Sequence, residues 1–142
     1  MFNRENYEYL RKNFGSVSSW AIWSIPENPT DKKLINDLSM FDKEKIDETL
    51  KTLNNNYVLV GLNAAEHDIN NLPADWSNFH SNDISKQKDY KLRYALMNTP
   101  FWGSYITDII KWVRLTKSEK LGNYLKNNPD IEKNLTKNLP KS

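Results

Sequence analysis

The chain has 142 residues, no cysteine and a formal net charge of +2. Its length predicts one ordinary domain, and the lack of cysteine excludes structural disulfides, thiolate zinc sites and cysteine nucleophiles. The mildly basic balance permits contact with nucleic acid without the sharp basic patch of a dedicated DNA binder. No signal-like apolar stretch begins the sequence and no segment approaches ~20 apolar residues, so we expect a cytoplasmic protein with no membrane partner.

Three helices are predicted in the first third of the chain. The first covers residues 3–13 and ends at Gly15, the second begins near Thr30 or Asp31, and the third is capped by Asp42. Their apolar faces carry residues at helical spacing: Tyr7, Leu10, Phe14, Leu34, Ile35, Leu38, Ile46, Leu50 and Leu53.

The strands are predicted from shorter apolar runs. Residues 17–23 indicate a strand or a buried extended segment. The run 57–62 is continuously apolar, which is typical of a strand buried on both faces of a parallel sheet. A long polar loop over 63–85 and a helix over 87–98 separate it from a second central strand or strand-turn, which begins at Tyr105 and ends near Trp112 and Val113.

The order of these elements favours an α/β protein with αβα layers and a short, mainly parallel sheet. We assign residues 1–116 to this domain and residues 117–142 to a helical tail rich in lysine and asparagine. A sheet that stops after two or three strands exposes an edge. Either the aromatics Trp20 and Trp23 or a second copy of the chain would cover that edge, and we expect a homodimer.

Three phrases in order resemble the uracil-DNA glycosylase-like superfamily. The segment Gly61-Leu62-Asn63-Ala64-Ala65 resembles the motif G-I-N-P-G of its mismatch-specific branch. Residues 76–80, Trp-Ser-Asn-Phe-His, resemble an N-x-F-W-like element, and residues 103–111 resemble the strand G-x-x-x-T-D-[IL]-[IV]-K. The last two phrases are also similar to those of uncharacterised bacterial proteins of this fold. The resemblance implies a partial fold of this type.

The resemblance also implies roles for single residues. Asn63 would hold the water that attacks the sugar, which an amide can do without ionising. Phe79 would stack on a base flipped out of the DNA, and Tyr105 would add a second wall. His67 and His80 are the remaining catalytic candidates, since both histidines of the chain lie in the loop. The other expected substrate-binding residues flank these: Gly61, Leu62, Ala64, Ala65, Asn78 and Asp108.

Two departures from the family pattern bear on catalysis. Ala64 and Ala65 stand where the motif has Pro-Gly, and no histidine motif follows Lys111. We therefore expect a protein that recognises a nucleobase or DNA with catalysis lost or impaired, and no cofactor. An active base-excising glycosylase with an altered site and a protein-interaction module that keeps the fold are the alternatives.

Each candidate residue also has an ordinary structural explanation. Asn63 can be a turn residue, and Phe79 can be a core or loop-anchoring aromatic. His67 can be a solvent-exposed loop residue. The two histidines and nearby carboxylates do not have a recognised metal-ligand spacing, so no metal site is expected.

Overall fold

A computed structural model describes residues 2–64, 73–85 and 87–114, together with 126, 127 and 130. For residues 63, 64 and 110–114 it describes the backbone alone. The described part is a small α/β fold with a mixed three-stranded sheet. None of the described helices is long and apolar enough to cross a membrane.

The first helix, α1 (Arg4–Phe14), confirms the prediction for this segment. Its start is fixed by Asn3, whose side chain accepts hydrogen bonds from the backbone N–H groups of Glu5 and Asn6. The buried residue on its inner face is Tyr7. The chain then enters β1 (Ser18–Trp20), all of which is buried, so the predicted extended segment is a short strand.

The predicted second helix is absent. Residues 33–36 form a turn, and Leu34 has a φ of 63°, which a right-handed helix cannot contain. Side chains supply the reason: Asp31 accepts from the backbone N–H of Lys33, and Asp37 accepts from that of Ser39. Local hydrogen bonds of this kind compete with the backbone hydrogen bonds of a helix.

The predicted third helix is reduced to one turn. A 3-10 turn (Ser39–Phe41) leads into α2 (Ile46–Thr49), which has no side-chain cap from Asp42. The apolar positions themselves were predicted correctly, because Ile46, Leu50 and Leu53 are all buried. Burial against the aromatic core therefore holds this segment, with little contribution from regular helix.

The two long strands are β2 (Asn54–Ala64) and β3 (Ser104–Arg114), separated by α3 (Asp89–Leu96). β3 is central, as predicted: it pairs in parallel with β2 and antiparallel with β1, in the order β1-β3-β2. The sheet is thus mixed, with one parallel and one antiparallel pairing. β2 begins at Asn54, where the sequence indicated a turn.

The prediction that the strand at 57–62 is buried on both faces is wrong. β2 lies at the edge of the sheet, and Val58, Val60 and Leu62 are each at least 50% exposed. On the other face, Leu59 packs against a buried cluster of Ala21, Trp23 and Ile35. β2 is therefore covered on one face and open on the other.

A cluster of aromatic rings packs the α1 face of the sheet. Trp20 is fully buried at its centre and contacts Phe2, Tyr7, Trp76 and Tyr105, with ring centroids 4.9–6.3 Å apart. Such edge-to-face and offset contacts add to the burial of large rings. The aromatic-heavy core compensates for the modest share of aliphatic residues in the chain.

Candidate functional site

The candidate site lies on the β2–β3 pair, on the face opposite α1. In the parallel register Gly61 lies beside Asp108, toward the carboxyl end of β2 and near the middle of β3. Any site built here therefore starts from Gly61 and Asp108.

Gly61 leaves space that other side chains use. A methyl group added at its Cα would collide with Oδ1 of Asp108 and would lie 3.8 Å from Cε1 of Phe79. Asp108 is buried, at 3% exposure, whereas Phe79 is half-buried. The fold thus brings together three of the residues predicted from sequence: a glycine, a buried carboxylate and a half-buried aromatic ring that also packs against the core cluster containing Trp23.

The segment that carries Phe79 is held firmly by its neighbours. The backbone N–H of Trp76 donates to Gly15 O at 2.8 Å, and Nε1 of Trp23 donates to Phe79 O at 2.9 Å. The Ser81 N–H donates to Asp89 Oδ2 at 2.8 Å. These hydrogen bonds hold the backbone on both sides of Phe79 and therefore fix the position of its ring relative to β2.

Two bulky residues of this segment have strained backbones. Trp76 and Phe79 have φ values of 64° and 65°. The left-handed region costs a non-glycine residue about 1–2 kcal/mol. Strain of this kind persists where surrounding contacts over-determine it, and it clusters at functional sites. The conformation that presents Phe79 is therefore maintained at a cost by the contacts around it.

Asn78 and His80 flank Phe79 but point into the protein. Asn78 is 3% exposed, and its Nδ2 donates to Ser16 O at 2.7 Å. Nδ1 of His80 lies 2.9 Å from Asn78 O, and its Nε2 lies 2.8 Å from Ile22 O. These contacts favour a structural role for both residues, and the catalytic role of His80 stays a prediction.

The environment of His80 makes stability depend on pH. Burial lowers the pKa of His80 below the ordinary value of 6.5, against the opposing effect of the hydrogen bonds to Asn78 and Ile22. The unfolded chain therefore binds a proton at His80 more readily than the folded chain. The contribution of His80 is fully present above pH 6.5 and is lost as the pH falls below it, by up to about 1.4 kcal/mol per pH unit.

This predicts that the unfolding free energies of the wild type and of His80→Gln diverge in slope between pH 6.5 and 5. The wild type should lose stability more steeply on acidification, measured by urea unfolding at each pH. The carboxylates titrate in both proteins, so their contributions cancel in the comparison. If the unfolding free energies of the two proteins had the same slope against pH, the pKa of His80 would not be lowered by folding.

Tyr105 does not join this group. It contacts Trp20 in the core on the α1 face, with ring centroids 5.3 Å apart. Burial raises the pKa of Tyr105, against the hydrogen bonds to Ser18 and Thr107. Leu62 lies on β2 but is half exposed on the open face. Neither side chain therefore lines the space between Phe79 and Asp108.

Other predicted site residues are described in part or not at all. Asn63 and Ala64 lie at the end of β2, with the backbone of Asn63 paired to Ile110. Ala65 and His67 lie outside the described residues. Trp23, which holds the carbonyl of Phe79, was missed by the sequence analysis, since an aromatic near a short strand gives no signal of such a bond. Within the described ranges, no group of three or more histidine, aspartate or glutamate side chains is arranged to hold a metal ion.

Comparison of the chain with protein-family models, with curated proteins and with solved structures gave no match.

Proposed function

We propose that this chain is a uracil-DNA glycosylase-like protein, with a partial αβα fold of that type, that recognises a nucleobase in DNA and has lost most or all catalysis. The observation that carries the proposal is the half-buried ring of Phe79 held above Gly61, next to the buried carboxylate of Asp108. The three residues come from the three phrases that resemble the superfamily. They converge at one place although up to 47 positions separate them.

The chemistry of this group suits base recognition. A base flipped out of DNA is read by stacking on an aromatic ring and by hydrogen bonds to its edge. Phe79 offers the ring, and the missing side chain at Gly61 makes room for the carboxylate of Asp108 beside that ring. Asn63 follows two residues later on the same strand, and the resemblance assigns to its amide, which has both donors and an acceptor, the binding of a water.

The same residues offer few groups that could catalyse cleavage of a glycosidic bond. His80, a candidate acid or base, is held between two backbone carbonyls. Cleavage of an N-glycosidic bond should pass through an oxocarbenium-like sugar that needs a positioned water and a matched electrostatic environment. The described residues supply the stacking ring and one buried carboxylate. Recognition with impaired catalysis is therefore favoured over an active enzyme.

Binding to single-stranded oligonucleotides tests the proposal. Replacement Phe79→Leu should weaken binding by about 5- to 150-fold, because stacking of one base on an aromatic ring contributes about 1–3 kcal/mol. Fluorescence anisotropy at several salt concentrations measures it, and affinity should fall as salt rises. Phe101→Leu is the matched control, since Phe101 contacts Tyr57 just before the amino-terminal end of β3.

The same samples separate the alternatives. Oligonucleotides that carry uracil in single strands or in U·A and U·G pairs, or that carry a T·G pair, are incubated with the wild type and with Asn63→Ala. Binding without cleavage is the proposed result. Cleavage that disappears in Asn63→Ala would establish the active glycosylase, and a well-folded protein without binding or cleavage would favour the protein-interaction module.

A further inference from the structure

The outer edge of β2 lacks several of the features that keep sheet edges from pairing, and its pairing with β3 is regular from Val58 to Asn63, between register shifts on either side. β2 lies at the end of the strand order, and no other strand pairs with its outer side within the described residues. Edge strands are usually short, or carry lysine, proline or an inward charge. β2 has 11 residues and contains neither a charged residue nor a proline, although 27% of the chain is charged.

The open face of the same strand is apolar. Val58 and Val60 are each 57% exposed and Leu62 is 50% exposed. Ile109 extends this row onto β3, since Gly61 is paired with Asp108 and Leu62 therefore lies next to Ile109. Contiguous apolar residues on the surface mark interaction sites more often than isolated ones do. An unprotected edge and an exposed apolar row thus occur on one strand.

We infer that a second copy of the chain pairs with this edge, with β2 antiparallel to β2 and the two-fold axis at Val60. The exposed row is symmetric about Val60, so an antiparallel copy places Val60 against Val60 and Val58 against Leu62. Apolar residues meet apolar residues at every position of the row, and no charge is buried. The strand is self-complementary, as the two-fold interface of a homodimer requires.

The resulting sheet has six strands in the order β1-β3-β2-β2-β3-β1. The two-fold axis is perpendicular to the sheet, because side chains of the open face must stay on one face in both copies. Both candidate sites therefore open on the same face, on either side of the axis, with Gly61 of one copy opposite Leu59 of the other. The inference stands on the edge and the exposed row and does not depend on nucleobase binding.

Light scattering on the size-exclusion column at tens of micromolar tests the inference. The wild type should have twice the 16.7 kDa mass of one chain. Val60→Lys places two ammonium groups against each other at the axis and should weaken dimerisation by about 100-fold or more. Val60→Thr keeps a β-branched, uncharged side chain and should remain a dimer. Because Val60 is exposed in one chain, circular dichroism should show all three proteins folded.

A mixing experiment tests the register. Val58→Lys and Leu62→Glu should each be monomeric, because the new charge faces an apolar residue of the second copy. An equimolar mixture should form a heterodimer, since the introduced lysine then faces the introduced carboxylate. A monomeric wild type, or a Val60→Lys variant that stays dimeric, would overturn the inference. Single variants that are monomeric alone and in the mixture would overturn the register.

Discussion

Replacement of Arg93 by methionine should lower the free energy of unfolding by about 3 kcal/mol or more. Arg93 lies on α3 with 1% of its side chain exposed. Its guanidinium donates to the backbone carbonyls of Ser24 at 2.9 Å, Lys33 at 2.7 Å and Asp31 at 2.5 Å. Methionine fills similar space but removes three hydrogen bonds from a charged donor to part-buried carbonyls, and each such bond contributes about 1.5–3 kcal/mol.

Urea unfolding followed by circular dichroism measures this effect, with Arg4→Met as the control. Arg4 pairs with Glu8 and Asp47 on the surface, where its side chain is 48% exposed. Exposed ion pairs contribute about 0–1 kcal/mol, so the control should change little. Arg93→Lys should be intermediate, because one ammonium group cannot reproduce the fork of donors. Equal effects of Arg93→Met and Arg4→Met would show that the three carbonyls do not depend on Arg93.

Replacement of Trp20 by alanine should cost about 3–5 kcal/mol, the range for large-to-small changes of buried aromatics. Trp20 is fully buried between α1 and the sheet, and it contacts four other rings. Its loss would open a cavity at the centre of the larger core cluster. Thermal unfolding, together with loss of the near-ultraviolet dichroism of the aromatic cluster, measures the effect.

A matched pair of phenylalanine variants separates packing from hydrogen bonding. Nε1 of Trp20 is buried without a hydrogen-bond partner, whereas Nε1 of Trp76 donates to the hydroxyl of Tyr7 at 3.0 Å. Trp20→Phe and Trp76→Phe remove similar volume, but Trp76→Phe also removes a hydrogen bond, worth about 1 kcal/mol. Trp76→Phe should therefore be the more destabilising. The reverse order would show that the Trp76–Tyr7 bond contributes no stability.

Much of the core could be predicted from sequence, because burial follows apolar spacing. Tyr7 on α1 and Leu50 after α2 are buried at the positions that helical periodicity indicates. The helices themselves were predicted less well. Side-chain bonds from Asp31 and Asp37 organise the segment around Leu34 as turns, and periodicity carries no information about such bonds.

Two further features, the exposure of one face of β2 and the burial of Arg93, could not be predicted from the sequence, for different reasons. An apolar strand has the same composition whether neighbours cover one face or both, so the exposure of Val58 and Val60 could not be predicted from the sequence of β2. Arginine is expected on the surface unless it is paired, and nothing near Arg93 in sequence identifies the three carbonyls that receive its donors.

Comparison with the family motifs identified some residues of the candidate site and misplaced others. Gly61, Phe79 and Asp108, which come from the three phrases, lie close together in the structure. Tyr105 does not, and strand geometry explains why: it is three residues from Asp108 on β3, and alternate residues of a strand point to opposite faces. That parity was available from the sequence. The burial of His80 was not, because it depends on carbonyls from two other segments.

The most direct test of nucleobase recognition at Gly61, Phe79 and Asp108 is a chemical-shift titration of the ¹⁵N-labelled chain with a single-stranded oligonucleotide that contains uracil. The proposal predicts the largest shifts at the backbone amides of these three residues, with saturation as oligonucleotide is added and reversal at high salt. Shifts that are absent, or that are confined to α1 on the opposite face of the sheet, would contradict it.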